Sequence, residues 1–301
     1  MQRPNFVLTI IAILILSITI NAQELISNSN WALVADGFNF PEGPAWHNSG
    51  VLYLSNCYGG WITKIKDNKV DTLAAASDTT FVKTNGIIVA KSGDLFVCEY
   101  GNGKILQITP KGKVTTLING YKGISFNRPN DIAIDQKGNL YFSDPKDYGK
   151  ENPAGRVFYY NFNKKELKLV AENLDFPNGL GISPLTKKLY LSESGKHRVL
   201  EFDITESGDL KNKRVFIELP NGDPDGIELD TEGNLYIPHF GTGTVFVISP
   251  KGKILQKVKT PGKKPSNLEF GDDDLKTLYL TEDETNSVYK IRTINAGYKL
   301  R

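Results

Sequence analysis

The stretch Asn127-Arg128-Pro129-Asn130-Asp131, running on through Gly138-Asn139-Leu140-Tyr141-Phe142-Ser143-Asp144-Pro145, decides how the rest of the chain is read. Ile132, Ala133 and Ile134 form a short apolar strand. Asp135-Gln136-Lys137-Gly138 has the composition of a tight turn, and Leu140, Tyr141 and Phe142 form the returning strand. A polar cluster, Arg128, Asn130 and Asp131, stands where the first strand begins. Another, Ser143 and Asp144, stands where the second ends. An antiparallel hairpin brings those two ends together, so Asn130, Asp131 and Asp144 are expected at one rim of the fold.

The pattern recurs five more times, led by Glu42, Asn85, Asn178, Asp225 and Asn267. With Asn130 included, the six leading residues are spaced 43, 45, 48, 47 and 42 residues apart. Repeats of roughly 40–50 residues, each made of several short strands, mark a β-propeller. The expected fold is therefore all-β, a six-bladed propeller with four-stranded blades. Asn-Gly and Asp-Gly pairs at the leading positions read most simply as turn residues whose side chains bond nearby backbone. The last repeat supplies three strands, Asn267–Phe270, Leu278–Thr281 and Ser287–Ile291. An unpartnered strand, Trp31–Ala35, precedes the first repeat. Joining the two closes the ring and leaves no open sheet edge. Blade three carries an insertion, Lys146–Ala154, expected to overhang the rim.

Residues 1–22 are a different material. Arg3 supplies a positive start, Phe6–Ile20 is mostly Ile, Leu and Val, and Ala22 precedes a plausible cleavage point. This reads as a secretory signal peptide, too short and too interrupted by Thr9, Ser17 and Thr19 for a membrane span. The expectation is an exported protein, periplasmic or secreted, with residues 23–301 as one propeller domain and no membrane segment after cleavage. A net charge of +2 with no basic block gives no footprint for nucleic acid. No feature names a protein partner. Cys57 and Cys98 are expected to be free and buried rather than paired.

The chemistry follows from the ring. In a propeller the innermost strands converge on a central channel, so their leading residues encircle one mouth. Glu42, Asp225 and several amides form an array of hard oxygen donors, the ligand type of Ca²⁺. His47, His197 and His239 have no zinc-ligand spacing. There is no Gly-x-Ser-x-Gly elbow and no Gly-rich phosphate loop. Glu99, Asp144, Glu193, His239 and Glu282 close the second strands of their blades. They are candidates for a supporting layer or for solvent exposure.

The motifs Pro41-Glu42-Gly43-Pro44-Ala45-Trp46, Asn127–Asp131, Leu140–Pro145, Phe176-Pro177-Asn178-Gly179 and Pro224-Asp225-Gly226, in order and in register, resemble the gluconolactonase family. That family includes regucalcin and the calcium-dependent phosphotriesterases. The resemblance spans about Phe40 to Ile291. It implies one divalent metal, Ca²⁺ first and other divalent ions as alternatives, on Glu42, Asn178 and Asp225. It implies Arg128 and Asn130 as substrate-binding residues, Asp225 as general base or nucleophile, and Asp144 as a neighbour of the site. It carries no ligand role over to Asn85 or Asn267. The implied activity is metal-dependent opening of a lactone, sugar-derived by expectation. Phosphotriester hydrolysis is the alternative within the family. Outside it, the alternative is a non-enzymatic propeller that binds a protein or glycan.

Overall fold

The structure, a computed structural model, describes residues 24–26, 30–149 and 151–298, so the segment read as a signal peptide lies outside the described residues. Six antiparallel sheets follow one another around a ring. Blade one is Pro41–His47, Val51–Asn56, Trp61–Lys66 and Lys69–Ala75. Blades two, three and four repeat that order from Thr84–Val89, Ile132–Ile134 and Pro177–Ser183. In blade five the innermost strand is split into Asp223–Pro224 and Glu228–Leu229, both paired with Leu235–Phe240. Blade six runs Pro265–Gly271, Thr277–Glu282 and Ser287–Arg292. Its fourth strand is Ala32–Ala35 from the other end of the chain, antiparallel to Ser287–Arg292. The ring closes as expected, and the Trp31 indole N–H clamps the junction by donating to Lys259 O of blade five at 2.8 Å.

The core lies between blades. The aromatic residue in the middle of each second strand, Tyr53, Phe96, Tyr141, Tyr190, Tyr236 or Tyr279, is buried. Each such side chain contributes about 1.5–3 kcal/mol by leaving water. Buried phenols find acceptors: Tyr141 Oη donates to Gly208 O and Tyr236 Oη to Asp230. Cys57 and Cys98 are both buried and free.

One local reading is corrected. The Asn-Gly and Asp-Gly pairs are not tight turns. Asn85-Gly86 and Asn178-Gly179 lie within innermost strands. Their glycines permit neighbouring blades to touch backbone to backbone. A Cβ on Gly86 would stand 2.7 Å from Asn130 O, and one on Gly179 would stand 2.1 Å from Asp225 O. In their place Gly86 N donates to Asn130 O and Gly179 N to Asp225 O, stitching blade two to three and blade four to five.

The ladder is also interrupted at every leading residue. Register shifts fall between Glu42 and Ala45, Thr84 and Ile87, Pro177 and Leu180, and Pro265 and Asn267. Asp225 sits in the gap of blade five's split strand, and Asn130 just precedes Ile132–Ile134. Bulges of this kind re-aim a side chain out of the sheet pattern. Here all the leading residues but Asn267 face the channel mouth.

Candidate functional site

The mouth holds a cavity of about 350 Å³, lined on its polar side by Glu42, Asn85, Arg128, Asn130, Asn178, Asp223 and Asp225. The five residues proposed from sequence as ligand, catalytic or substrate-binding groups are thus brought together. Asn85, set aside in the sequence reading, joins them. Asn267 does not; its amide oxygen accepts from Leu268 N at 2.9 Å and its side chain bonds Asp131. Phe40, Tyr58, Tyr100, Phe176 and Phe240 supply apolar walls. The blade-three insertion contributes Lys146, Asp147 and Tyr148. Tyr148 stacks on Phe176 at 3.8 Å, and Gly149 N donates to Asp175 Oδ1 at 2.9 Å, so the insertion is pinned over the mouth.

Electrostatically the floor is acidic. Glu42 is 5 % exposed and Asp225 8 %. Burial, with the Asp131 carboxylate second, pushes the Glu42 carboxyl up to about 8. Burial, then Glu42 and Asp131, push Asp225 well above the usual carboxylate range, against a hydrogen bond from the Asn178 side chain. Two buried carboxylates, one raising the other, favour either a shared proton or a bound cation. Among the described residues no three His, Cys, Asp or Glu side chains converge as a metal-ligand group. Glu42, Asp225 and the amides are hard oxygen donors throughout, and Asp147 and Asp223 also line the cavity. That chemistry fits a hard divalent ion that completes its shell with water.

Asp144 stands one layer back and acts on the site through Arg128. Its Oδ1 accepts the Arg128 backbone N–H at 2.8 Å, while Arg156 bonds Oδ2. The Arg128 guanidinium lies over the Tyr100 ring, 5.9 Å from the centroid.

The other residues that close second strands do the same work in their own blades. Glu99 accepts from Val82, Lys83 and Asn102 N, and Glu193 from Asp175 N and Arg198. Glu282 accepts from Lys264 and Thr285 N. In blade one Asn56 Oδ1 takes Asn39 N at 3.1 Å. His239, its pKa lowered by burial, bonds Leu219 O and Thr242 Oγ1. These residues anchor the loops that enter each blade.

Asp131 departs from the rim position expected for it. Its carboxylate accepts from Ile132 N and crosses to Leu180 N of blade four, which places it near the ring axis below the mouth. Burial there raises it to about 6.

A larger pocket, about 750 Å³, opens at the opposite end of the ring among Val89, Phe96, Ile134, Ile182 and Leu185. Its one acid, Asp135, caps its own turn by accepting from Lys137 and Asn139 N. The convergent polar groups and displaced pKa values are at the smaller cavity, and those features mark a reactive site better than volume does.

The SMP-30/Gluconolactonase/LRE-like region matches residues 40–283. A gluconolactonase of Zymomonas mobilis is 27 % identical over 296 residues, covering 88 % of this chain and 82 % of its own. The solved structure of a gluconolactonase from Xanthomonas campestris superposes with a TM-score of 0.76 at 29 % identity, over 87 % of this chain and 88 % of that one. A calcium-binding protein of Agrobacterium tumefaciens, regucalcin, shares the fold, with a TM-score of 0.77 at 16 % identity over 90 % of this chain and 95 % of its own. A family match over residues 40–283, nearly all of the ring, places the chain in the SMP-30/gluconolactonase family.

Proposed function

We propose that this protein is a cation-dependent hydrolase that opens a lactone, acting as the gluconolactonases it resembles do. The observation that carries the reading is the pairing of Glu42 and Asp225 with Asn178 on the floor of one walled cavity. Those three side chains would hold the ion, with Ca²⁺ favoured by an all-oxygen donor set. When bound, the ion supplies Lewis acidity toward a carbonyl oxygen and keeps the buried carboxylates ionised.

The chain's own residues do the rest. The Asn178 side chain favours the ionised form of the Asp225 carboxylate. Asp225 takes a proton from the attacking water. Water adds to the lactone carbonyl carbon, the ring C–O bond breaks, and the freed alkoxide takes up the proton. Arg128, placed by Asp144, and the Asn130 amide orient substrate hydroxyls or the carbonyl. The aromatic walls exclude bulk water and offer flat faces to a sugar-derived ring.

The test is a panel of sugar lactones and phosphotriesters, assayed with Ca²⁺ and with chelator. Lactone turnover that chelator abolishes and Ca²⁺ restores supports the reading. Phosphotriester turnover alone would move it to the other branch of the family, and no turnover would favour a binding propeller. We also propose export, supported by the Arg3 start and the apolar Phe6–Ile20 run. N-terminal sequencing of the extracytoplasmic protein should begin near Gln23.

A further inference from the structure

We propose that Asp283 is a further carboxylate of the cation site, acting on the ion through its charge from behind Glu42 rather than as a ligand. The inference rests on the cation reading above. It begins with a redundancy in blade six. The loop-anchoring task of the blade is already carried out by Glu282, which accepts from Lys264 N and from both the backbone N–H and the hydroxyl of Thr285. Asp283, the next residue, is left over. It is 7 % exposed. Its backbone N–H donates to Lys264 O at 2.9 Å. One carboxylate oxygen, Oδ1, reaches the Ser266 hydroxyl at a long 3.5 Å. The other, Oδ2, is buried and has no hydrogen-bond partner.

A buried carboxylate normally finds donors or a cationic side chain, because an unmet charge out of water costs several kcal/mol. Asp283 has the reverse environment. The charged groups that bear on it are Glu42, Asp225 and Glu282, all acidic. Ser266 links it to the site: its hydroxyl lies 3.2 Å from Pro41 O, next to Glu42, and helps hold the Glu42 carboxyl in its ionised form. Asp283 is not among the residues that line the cavity. It stands behind the lining, its unpartnered oxygen in the same acidic cluster as Glu42 and Asp225. Glu42 and Asp225 neutralise a divalent ion; a further carboxylate behind them deepens the potential well. The cost falls on the cation-free protein, which must hold three neighbouring acids with no counter-charge.

That division gives a test with two readouts of opposite sign. Ca²⁺ is titrated calorimetrically into wild type, Asp283→Asn and Asp283→Ala, and each cation-free protein is melted in chelator. The expected result is Ca²⁺ affinity weaker by about tenfold or more in both variants, since site charge sets affinity at oxygen sites. The cation-free melting temperature should rise in Asp283→Asn, because a repelled buried charge has gone. Affinity within about twofold of wild type, or a lowered cation-free melting temperature, would make Asp283 a structural residue and overturn the inference. An Asn variant that fails to fold would do the same. Wild type that binds no Ca²⁺ would remove the cation reading itself, whereas binding in wild type with unchanged variants would remove only the role of Asp283.

Discussion

Two sets of polar residues recur once per blade, and they meet opposite fates. The set that closes the second strands includes Glu99, Asp144, Glu193 and Glu282. All are buried, and each is saturated by backbone N–H groups, an arginine or a threonine hydroxyl. The set that leads the first strands is thrown out of register by bulges. Two of its members, Glu42 and Asp225, are buried carboxylates held far from their ordinary pKa. A buried acid whose acceptors are filled holds loops together. A buried acid whose acceptors are open to a cavity is prepared for something from outside.

The contrast can be broken from the satisfied side first. Glu193→Ala removes the acceptor of Asp175 N and the partner of Arg198, and leaves both polar groups underused in the interior. Chemical denaturation should show a loss of about 2–3 kcal/mol. Ca²⁺ affinity should hold if the two sets are as separate as their hydrogen bonds imply. A stable Ala variant that no longer binds Ca²⁺ would mean the sets are one system.

A smaller effect tests the carboxylates below the mouth. Glu228, on the innermost strand of blade five, is raised by burial and then by Asp131 to about 8. Between the ordinary carboxylate value and about 8 the folded chain holds a proton that the unfolded chain has lost. Stability therefore falls as pH rises through that window. Asp131, raised to about 6, adds the same sign over the lower part of it. Melting temperatures in chelator across this range should decline with pH, and the decline should flatten in Glu228→Gln. An equally steep decline in the variant would assign the slope to other groups.

The smallest effect concerns the cover. Tyr148→Ala removes the ring stacked on Phe176 and should unpin the insertion over the mouth. KM for a lactone should rise several-fold, with kcat and Ca²⁺ affinity little changed. A fall in kcat with unchanged KM would give Tyr148 a part in the chemistry instead.

Much of this was legible in the chain because a propeller repeats itself. The spacing of Glu42, Asn85, Asn130, Asn178, Asp225 and Asn267 defines six blades. The shortage of one strand at the last repeat finds its match in Ala32–Ala35. The repeat places the six leading residues around one mouth, and the resemblance to the gluconolactonase family, not the repeat, singles out Glu42, Asn178 and Asp225 among them. What was hidden depends on contacts across blades. The glycine after a leading residue looks like turn chemistry, yet its use is the approach of a neighbouring backbone. Asp131 looks like a rim residue until its bond to Leu180 N, 49 positions away, puts it near the axis. Asp283, inside Glu282-Asp283-Glu284-Thr285, has the composition of an exposed turn. Only the fold turns it inward beside Glu42.

The most direct test of the account is Asp225→Asn, assayed for lactone turnover at saturating Ca²⁺ beside a melting curve for each protein. The substitution keeps the size of the side chain and one oxygen but loses the ability to accept a proton from water. Stability should change by less than about 1 kcal/mol apart from any loss of bound ion. Turnover should fall by at least about 100-fold, the lower bound for removing a general base. Saturating Ca²⁺ separates lost chemistry from weakened binding. A folded, Ca²⁺-loaded Asn variant that turns over lactone at close to the wild-type rate would contradict the account.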